Sequence, residues 1–449
     1  MTRFRRLIRR ETSLNDLPPA VLLRIASYLP GIKDQSNFSL VCQACRPAGQ
    51  RFLFQTLVLF TNNDDLTFAH VVDFLSTHPV IATYITRLAL YGIGGVGWDT
   101  CFDITIQDVQ HIIEKLPALE QLLLHSFFWV VEPSSPPITY RHPALLDLEV
   151  ECIYAVDNSQ SILDVLAFST QWRRVHIIDV EHPSHTPLRQ NGPFPASSVI
   201  VSHCQYNDEA SEVLPTNRPA FKNVRDLIIV HAVDTYHRML HDMLTQSIHS
   251  VQRLTLHFGP KNILFTPPRW VDALSGLRGC SQLRSIHLSI PLEPNWIVTA
   301  VPPPPKLSDH IQLLPLLTLA LPPSLILCEI EFQLNHQRLA PSVTQLIKRI
   351  PWRNISANVT RLSGLRALIL RLDCTGHRFH IMPEDVYRFI VLEFNSFPKR
   401  LGTFCSSPLY LYKEEHELYT LQQLIARGYI QEKITRAVYA AHSFADLRT

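Results

Sequence analysis

A short apolar pattern recurs along most of the chain. In each copy, one apolar residue is followed by two more, three and five positions later. The copies are Ile85, Leu88 and Leu90; Leu119, Leu122 and Leu124; Leu145, Leu148 and Val150; Trp172, Val175 and Ile177; Ala196, Val199 and Val201; Val224, Leu227 and Ile229; Val251, Leu254 and Leu256; Leu283, Ile286 and Leu288; Leu325, Cys328 and Ile330; and Leu365, Leu368 and Leu370. Residues two apart share one face of a strand, so each copy predicts a short strand with a buried side.

Segments with helical periodicity lie between these predicted strands. They are residues 65–75, 106–116, 162–168, 235–248 and 343–350. Strand, helix and strand at a regular period describe a unit that buries its apolar face by stacking on its neighbours. The pattern predicts an α/β solenoid with a parallel sheet. An ordinary α/β domain with a parallel sheet is the alternative.

Residues 13–60 have a different pattern, typical of three short helices. Apolar residues at three- and four-residue steps mark one face of the first helix, with Asn15 or Asp16 as its cap and Pro18 and Pro19 in its first turn. These apolar residues are Leu17, Val21, Leu22, Ile25 and Leu29. Pro30 and Gly31 end this helix.

Two further helices are predicted to follow. Asp34 opens the second, with Phe38, Val41 and Cys42 on one side, and the third follows Pro47 and carries Phe52, Leu53 and Leu57. A unit of about 45 residues buries little surface, so we expect it to need a partner or an abutting domain.

The same segment resembles an F-box. The run from Leu17 to Leu29 is similar to the opening of that motif, Leu40 to Gln43 to its middle, and Arg51 to Leu57 to its end. The resemblance implies docking onto the small adaptor that links F-box proteins to a cullin ubiquitin ligase. The positions implied for this contact are Leu17, Pro18, Leu22, Ile25, Leu40, Val41, Cys42 and Leu53. The sequence departs from the motif at Ala20, Ala26 and Cys45.

The rest of the chain resembles a degenerate leucine-rich-repeat region, as found in many F-box proteins of the fungal type. Most copies begin about 24–34 residues apart, near the period of such repeats. In this arrangement the residues between and just after the triplet positions face the concave side of the sheet. The predicted substrate-binding residues are Arg87, Tyr91, His125, Asp147, Glu149, Glu151, Arg174, His176, Arg253 and His257. Equivalent positions elsewhere are Gln121, Ser285, His287, Glu329, Glu331 and Arg371.

Composition supports a folded protein without a general attraction to nucleic acid. The 449 residues are 46% hydrophobic and 18% charged, and the formal net charge is +2. We expect no membrane span, because the most apolar stretch, residues 313–328, contains three prolines and is too short. Nine widely spaced cysteines in so long a chain favour reduced thiols in cytoplasm or nucleus.

Both ends of the chain differ from the middle. Residues 1–12 form a basic segment in which five arginines are interleaved with apolar residues, and we predict a disordered tail; a mitochondrial presequence is the alternative. Residues 401–449 carry apolar residues at helical steps from Glu414 to Ala441, which predicts a helical cap on the last repeat. The predicted domains are therefore the tail 1–12, the F-box 13–60, the solenoid 61–400 and the cap 401–449.

Candidate catalytic and cofactor motifs are weak. The glycines from Gly92 to Gly97 match the spacing of a dinucleotide loop, but no helix follows them directly, as that site requires. Cys42 and Cys45 have half of a zinc-knuckle spacing without a second pair nearby. His237 and His241 lack the intervening Glu of a zinc hydrolase. We expect no catalysis, cofactor or metal.

The function predicted from these resemblances is that of a substrate receptor in a cullin-type ubiquitin ligase. The F-box would bind the cullin adaptor and the solenoid would bind a protein substrate, with neither nucleic acid nor membrane as partner. The alternative is a leucine-rich-repeat scaffold whose degenerate F-box takes no part in ubiquitylation.

Overall fold

The computed structural model describes most of the chain between Ser13 and Asp373 and four short strands beyond it. The described residues are 13–29, 31–60, 68–92, 102–130, 140–155, 162–178, 196–202, 222–232, 236–258, 270–271, 274–292, 309–333, 346–373, 381–382, 402–405, 410–412 and 418–419. The predicted tail 1–12, the glycines 94–97 and most of the predicted cap lie outside these residues. The chain divides into two compact units, Met1–Trp172 with Leu188–Gln190, and Arg173–Pro187 with Asn191–Thr449.

The first unit begins with a helical module, as predicted. A 3-10 turn, Leu14–Asp16, precedes the helices α1 (Pro19–Ser27), α2 (Ile32–Val41) and α3 (Cys45–Leu53). Apolar positions spaced along the three helices meet in one core. This core consists of Leu22, Ala26, Phe38, Cys45 and Ala48.

The predicted starts of the helices need correction. Ser13, not Asn15 or Asp16, is the N-cap residue: its hydroxyl accepts from the Asn15 amide, and its own amide donates to Asp16. This capping box closes the 3-10 turn, while Pro18 precedes α1 without a side-chain cap. Helix α2 starts after Gly31, before the predicted opener Asp34.

The third helix begins at Cys45, before the predicted start after Pro47, and ends at Leu53, where a strand soon follows. Leu57, expected in that helix, lies in β1 (Thr56–Phe60), which pairs in parallel with β2 (Arg87–Tyr91). The run Thr-Leu-Val-Leu-Phe is rich in residues that favour strands, and it has a neighbouring strand to pair with. The sheet therefore begins inside the segment predicted to be wholly helical.

The first unit continues the parallel sheet. Strands β3 (Phe102–Ile104), β4 (Gln121–Trp129) and β5 (Asp147–Ala155) follow, and the strand order is β1-β2-β4-β5 with β3 beside β4. Helices α4 (Phe68–Thr77), α5 (Pro79–Ala82) and α6 (Ile106–Ile113) and the 3-10 helix Ile162–Phe168 lie between the strands along the chain. Thr105 and Asp108 form a capping box at α6.

The second unit repeats the strand-and-helix alternation. Its strands are β6 (Trp172–Ile178, whose first residue belongs to the first unit), β7 (Ala196–Ser202), β8 (Asp226–Ala232), β9 (Arg253–Phe258), β10 (Ser285–Pro291), β11 (Leu327–Gln333) and β12 (Ala367–Asp373). Its described residues include the α-helices α7 (Tyr236–Gln246), α8 (Leu313–Ala320) and α9 (Trp352–Thr360), with 3-10 helices at Gly276–Gly279 and Asp309–Gln312. Neighbouring strands from β7 to β12 pair in parallel and in chain order.

The C-terminal region contains strands where a helix was predicted. Strands β13 (Ile381–Met382), β15 (Tyr410–Tyr412) and β16 (Leu418–Tyr419) form a small sheet, and β14 (Gly402–Cys405) pairs with β12. Leu418 was expected in a capping helix, but β16 pairs antiparallel with β15. The prediction is wrong at these two residues, because their apolar periodicity also suits a short strand with an adjacent partner.

The repeated apolar triplets form the core of both units. The described triplet side chains are buried, except that of Ile177, which is half-buried. The registers align them, so that Leu88, Leu122 and Leu148 are direct neighbours in the first unit, as Leu254, Ile286, Cys328 and Leu368 are in the second. The prediction of an α/β protein with a parallel sheet is confirmed.

Candidate functional site

The helical module exposes large apolar side chains that its own core does not use. Tyr28, Ile32 and Leu40 are 73%, 77% and 74% exposed, and Val21 and Val41 are also exposed. Ile32 and Leu40 are two four-residue steps apart and share one side of α2. Leu40 points nearly opposite to the buried Phe38, because two residues advance a helix by about 200°. Large exposed apolar groups on a small module are candidates for a surface that binds another protein.

The predicted adaptor-binding residues divide into three groups. Pro18, Leu40 and Val41 are exposed. Leu17, Ile25 and Cys42 are half-buried and pack against the module core, and Leu53 is half-buried. Leu22 is 1% exposed and belongs to the core, so it supports the module from inside and offers no contact surface. Tyr28 and Ile32 were not singled out from the sequence; they flank the predicted helix break, off the predicted apolar face.

The three departures from the F-box motif occupy different environments. Ala26 and Cys45 are fully buried in the module core, where their small volume lets the helices approach. Ala20 is exposed on α1. Ala20 is thus the departure that changes the surface available to a partner.

On the first unit, an aromatic and charged row crosses the sheet face. The register places Phe60, Tyr91, His125 and Glu151 side by side on β1, β2, β4 and β5. The rings of Phe60 and Tyr91 are stacked with centroids 5.2 Å apart, and the Tyr91 and His125 rings are tilted at the same separation. His125 Nε2 lies 3.5 Å from Glu151 Oε2. Three predicted site residues therefore meet here, with Phe60 as an additional member.

Two more rows run parallel to this one. In the first, Arg87, Gln121 and Asp147 are neighbours, and Gln121 Nε2 donates a hydrogen bond of 3.4 Å to Asp147 Oδ2. In the second, Leu123 lies beside Glu149. Asp147, Glu149 and Glu151 are all half-buried on the same face of β5. This face of β5 carries three carboxylates, with one histidine paired to the last.

In the second unit, the predicted residue Arg253 is already paired. Its guanidinium donates to both carboxylate oxygens of Asp226, the neighbouring residue on β8, and the Nη2 to Oδ2 distance is 2.6 Å. Asp226 was not predicted from the sequence, although alignment of the two triplets places it beside Arg253. Arg174 is exposed and His176 is half-buried on β6.

His257 belongs to a polar network on β9, β10 and β11. Its ring lies edge-on to His287 with centroids 5.2 Å apart, and His287 Nε2 lies 3.7 Å from Glu331 Oε2. Ser289 donates to Glu331 Oε1 at 2.8 Å, and Gln333 Nε2 donates to Ser289 at 2.8 Å. Ser289 and Gln333 were not predicted: Ser289 directly follows the triplet residue Leu288, where the rule for the concave face would have found it, whereas Gln333 lies three residues beyond Ile330 and outside that rule.

Burial of Glu331 by itself raises the pKa of its carboxyl group. The contacts with His287 and Ser289 outweigh that effect and lower the pKa to about 2. Glu331 is therefore a charged, internally satisfied carboxylate at neutral pH. It strengthens this part of the sheet more than it offers a free charge to a partner.

No protein-family model matches the chain, and no curated protein matches it. Among the helices that the structure describes, none has both the length and the apolar character needed to cross a membrane. The basis for a function is therefore the exposed apolar module and the polar sheet faces themselves.

Proposed function

We propose that this chain is a substrate receptor of a cullin-type ubiquitin ligase, in which the N-terminal helices bind the cullin adaptor and the sheet binds a protein substrate. The observation that carries the proposal is the exposure of Tyr28, Ile32, Leu40 and Val41 on a module whose core is small. Covering these side chains with a partner removes apolar surface from water, which is the main favourable term in most protein association.

The order of motifs supports the same assignment. The segments resembling an F-box form three helices in the expected order, although the last of them ends in strand β1, and Pro18, Leu40 and Val41 remain exposed. We further propose that the strand-and-helix repeats within each unit stack in the manner of a leucine-rich-repeat-like solenoid. Repeats of this kind bury the triplet residues and leave the alternate positions of each strand for binding.

The substrate surface that we propose is the polar side of the strands. In the first unit it combines the aromatic row of Phe60 and Tyr91 with the carboxylates of β5. Aromatic and charged groups side by side suit a basic protein segment, since carboxylates give orientation and rings supply contact area. Holding such a segment near a ubiquitin-conjugating enzyme that carries ubiquitin raises the effective concentration of the substrate at that enzyme.

The adaptor contact is tested by a pull-down of the full chain with purified cullin adaptor. The test variant combines Ile32→Asp and Leu40→Asp, which place charges on exposed positions of α2 without touching the core. The matched control combines Phe74→Asp and Val80→Asp, because these apolar residues are 44% and 62% exposed in the same unit but outside the helical module. Leu22→Asp is unsuitable, since Leu22 is a core residue.

We expect the unmodified chain and the control to retain the adaptor and the α2 variant to lose at least about tenfold in affinity, equivalent to about 1.4 kcal/mol. Equal retention by the α2 variant would contradict the proposed contact. If the unmodified chain recovers other proteins from cells but no adaptor, the scaffold alternative is supported instead. In that case Ala20→Glu is the variant to test for adaptor binding, because Ala20 is the exposed departure and the F-box motif usually has glutamate at this position.

A further inference from the structure

Three side chains with metal-binding atoms converge on neighbouring strands of the first unit. They are His125 on β4 and Glu151 and Cys152 on β5, all half-buried, and one donor atom of each lies within 4.8 Å of the others. His125 Nε2 and Glu151 Oε2 are 3.5 Å apart. Because the spacing is close to that of ligands around one ion, the group has the dimensions of a mononuclear site.

The backbone explains how two consecutive residues supply ligands on the same side. In a regular strand, Glu151 and Cys152 would point to opposite faces of the sheet. Cys152 has φ = 52°, and its counterpart Ser126 on β4 has φ = 59°. The regular register runs to His125 and Glu151 and resumes at Phe127 and Ile153. The left-handed backbone at Ser126 and Cys152 breaks the alternation of side chains between the two faces, so that the Cys152 thiol lies near the Glu151 carboxylate.

The neighbours of His125 hold its ring in a suitable orientation. Ser126 Oγ lies 2.7 Å from His125 Nδ1, which leaves Nε2 on the side of Glu151. The Tyr91 ring packs against the imidazole on its other flank. Histidine ligands of metals commonly have their second ring nitrogen held by such a hydrogen bond.

We propose that His125, Glu151 and Cys152 bind a divalent transition-metal ion of the zinc class. Imidazole, carboxylate and thiolate together match the ligand preference of zinc, whereas calcium and magnesium prefer oxygen ligands alone. Three protein ligands leave the fourth tetrahedral position to water. The site continues the row of Phe60 and Tyr91, and with one carboxylate and one thiolate as ligands the bound divalent ion would be close to charge-neutral, which leaves Asp147 and Glu149 as the carboxylates of the proposed substrate surface.

The test uses Co²⁺ as a spectroscopic probe of the full chain. Purified protein is kept reduced, stripped with a chelator and titrated with Co²⁺ alone, while absorbance is followed in the visible and near-ultraviolet. We expect saturable binding of one equivalent, with intense visible bands of a tetrahedral ion and a near-ultraviolet charge-transfer band from the thiolate. Added Zn²⁺ should abolish both signals by displacing the cobalt. Absence of saturable binding would overturn the proposal.

Variants assign the signals to these residues. Cys152→Ser and Cys152→Gly should both lose the charge-transfer band, and the glycine variant also suits the left-handed backbone, so the fold is kept. Glu151→Gln and His125→Gln should lose the tetrahedral bands. Ser126→Ala, which removes only the support of His125, should weaken binding by about 10–100-fold.

The control removes two thiols that lie close together elsewhere in the first unit. Cys42→Ser combined with Cys45→Ser should leave both signals unchanged. A charge-transfer band that survives in the Cys152 variants, or disappears in the Cys42 and Cys45 control, would show that the metal binds elsewhere. Circular dichroism of every variant confirms that the chain is folded during the measurement.

Discussion

The Sγ atoms of Cys42 and Cys45 lie 3.3 Å apart in the helical module, although the two cysteines have different surroundings. Cys45 is buried in the module core, whereas Cys42 is half-buried at its edge. Desolvation by burial raises the pKa of the Cys45 thiol to about 11. Hydrogen bonding with Cys45 lowers the pKa of Cys42. The Cys42 thiol therefore loses its proton more readily than the Cys45 thiol.

This asymmetry predicts selective alkylation. In native protein at about pH 8, iodoacetamide should modify Cys42 before Cys45, because the thiolate is the reactive form and its population rises as the pKa falls. Cys45, and likewise the buried Cys280 and Cys328, should react only after denaturation. Peptide mass spectrometry over time measures the rates. Equal rates at Cys42 and Cys45 would contradict the burial of Cys45.

A close approach between α2 and α3 predicts that Gly49 cannot be enlarged. A Cβ atom at Gly49 would lie 2.6 Å from Ser39 Cβ and 2.9 Å from the Gln35 carbonyl oxygen. Alanine normally favours a helix over glycine by about 1 kcal/mol, but overpacking of a tight contact costs about 1–3 kcal/mol. Gly49→Ala should therefore destabilise the module, seen as faster hydrogen exchange of α2 and α3 amides.

Gly276→Ala is the matched control for this substitution. Its added methyl group would lie 3.5 Å from Leu244 Cβ, an ordinary van der Waals distance. Exchange around Gly276 and in α7 should change little. Unchanged exchange of the module in Gly49→Ala would mean that α2 and α3 are packed less closely than the structure shows.

Two leucines of the module should separate stability from binding. Leu22→Ala creates a cavity in the core and should lower the free energy of unfolding of the module by about 2–5 kcal/mol. Leu40→Ala removes an exposed side chain and should change that free energy by no more than about 0.5 kcal/mol. Hydrogen exchange measures the first effect. Adaptor titration should show that Leu40→Ala raises the dissociation constant for the adaptor although this variant remains fully folded.

The strand pattern could be predicted because it is local. Side chains alternate between the two faces of a strand, and the first apolar residue of each triplet lies three positions before the second, so Leu88, Leu122 and Leu148 are placed in the core. Alignment of these triplets also places His125 between Tyr91 and Glu151. The convergence of Glu151 and Cys152 could not be predicted, since it requires a left-handed backbone at Cys152, a residue type that rarely adopts one.

The errors at the helical segments have a common physical cause. Leu57 and Leu418 satisfy helical spacing, yet each lies in a strand: β1 pairs with β2, which is distant in the sequence, and β16 pairs with β15, which ends a few residues before it. Such pairing depends on tertiary contacts, which override local propensity. Tertiary packing also decides which leucines of the motif are exposed. The packing of α1, α2 and α3 buries Leu22 in the core and leaves Leu40 on the surface.

The lowered pKa of the Glu331 carboxyl group predicts how the stability of the second unit changes in acid. The pKa of its carboxyl group is about 2, below the usual 4.5, because contacts with His287 and Ser289 outweigh the effect of burial. As pH falls, the unfolded chain takes up this proton first. The stabilisation by Glu331 is therefore fully present above about pH 4.5 and is lost as the pH falls towards 2.

Glu331→Gln should remove this contribution. At neutral pH the variant should lose on the order of 1–3 kcal/mol of unfolding free energy, because the amide keeps the volume but not the charge. Its stability should also decline less steeply than that of the unmodified chain between about pH 4.5 and 2. Denaturant titrations at several pH values, followed by hydrogen exchange of peptides covering β10 and β11, measure both effects. Glu120→Gln, at an exposed carboxylate, is the control and should follow the unmodified chain. Parallel pH profiles for Glu331→Gln and the unmodified chain would show that the network with His287 and Ser289 does not hold Glu331 ionised.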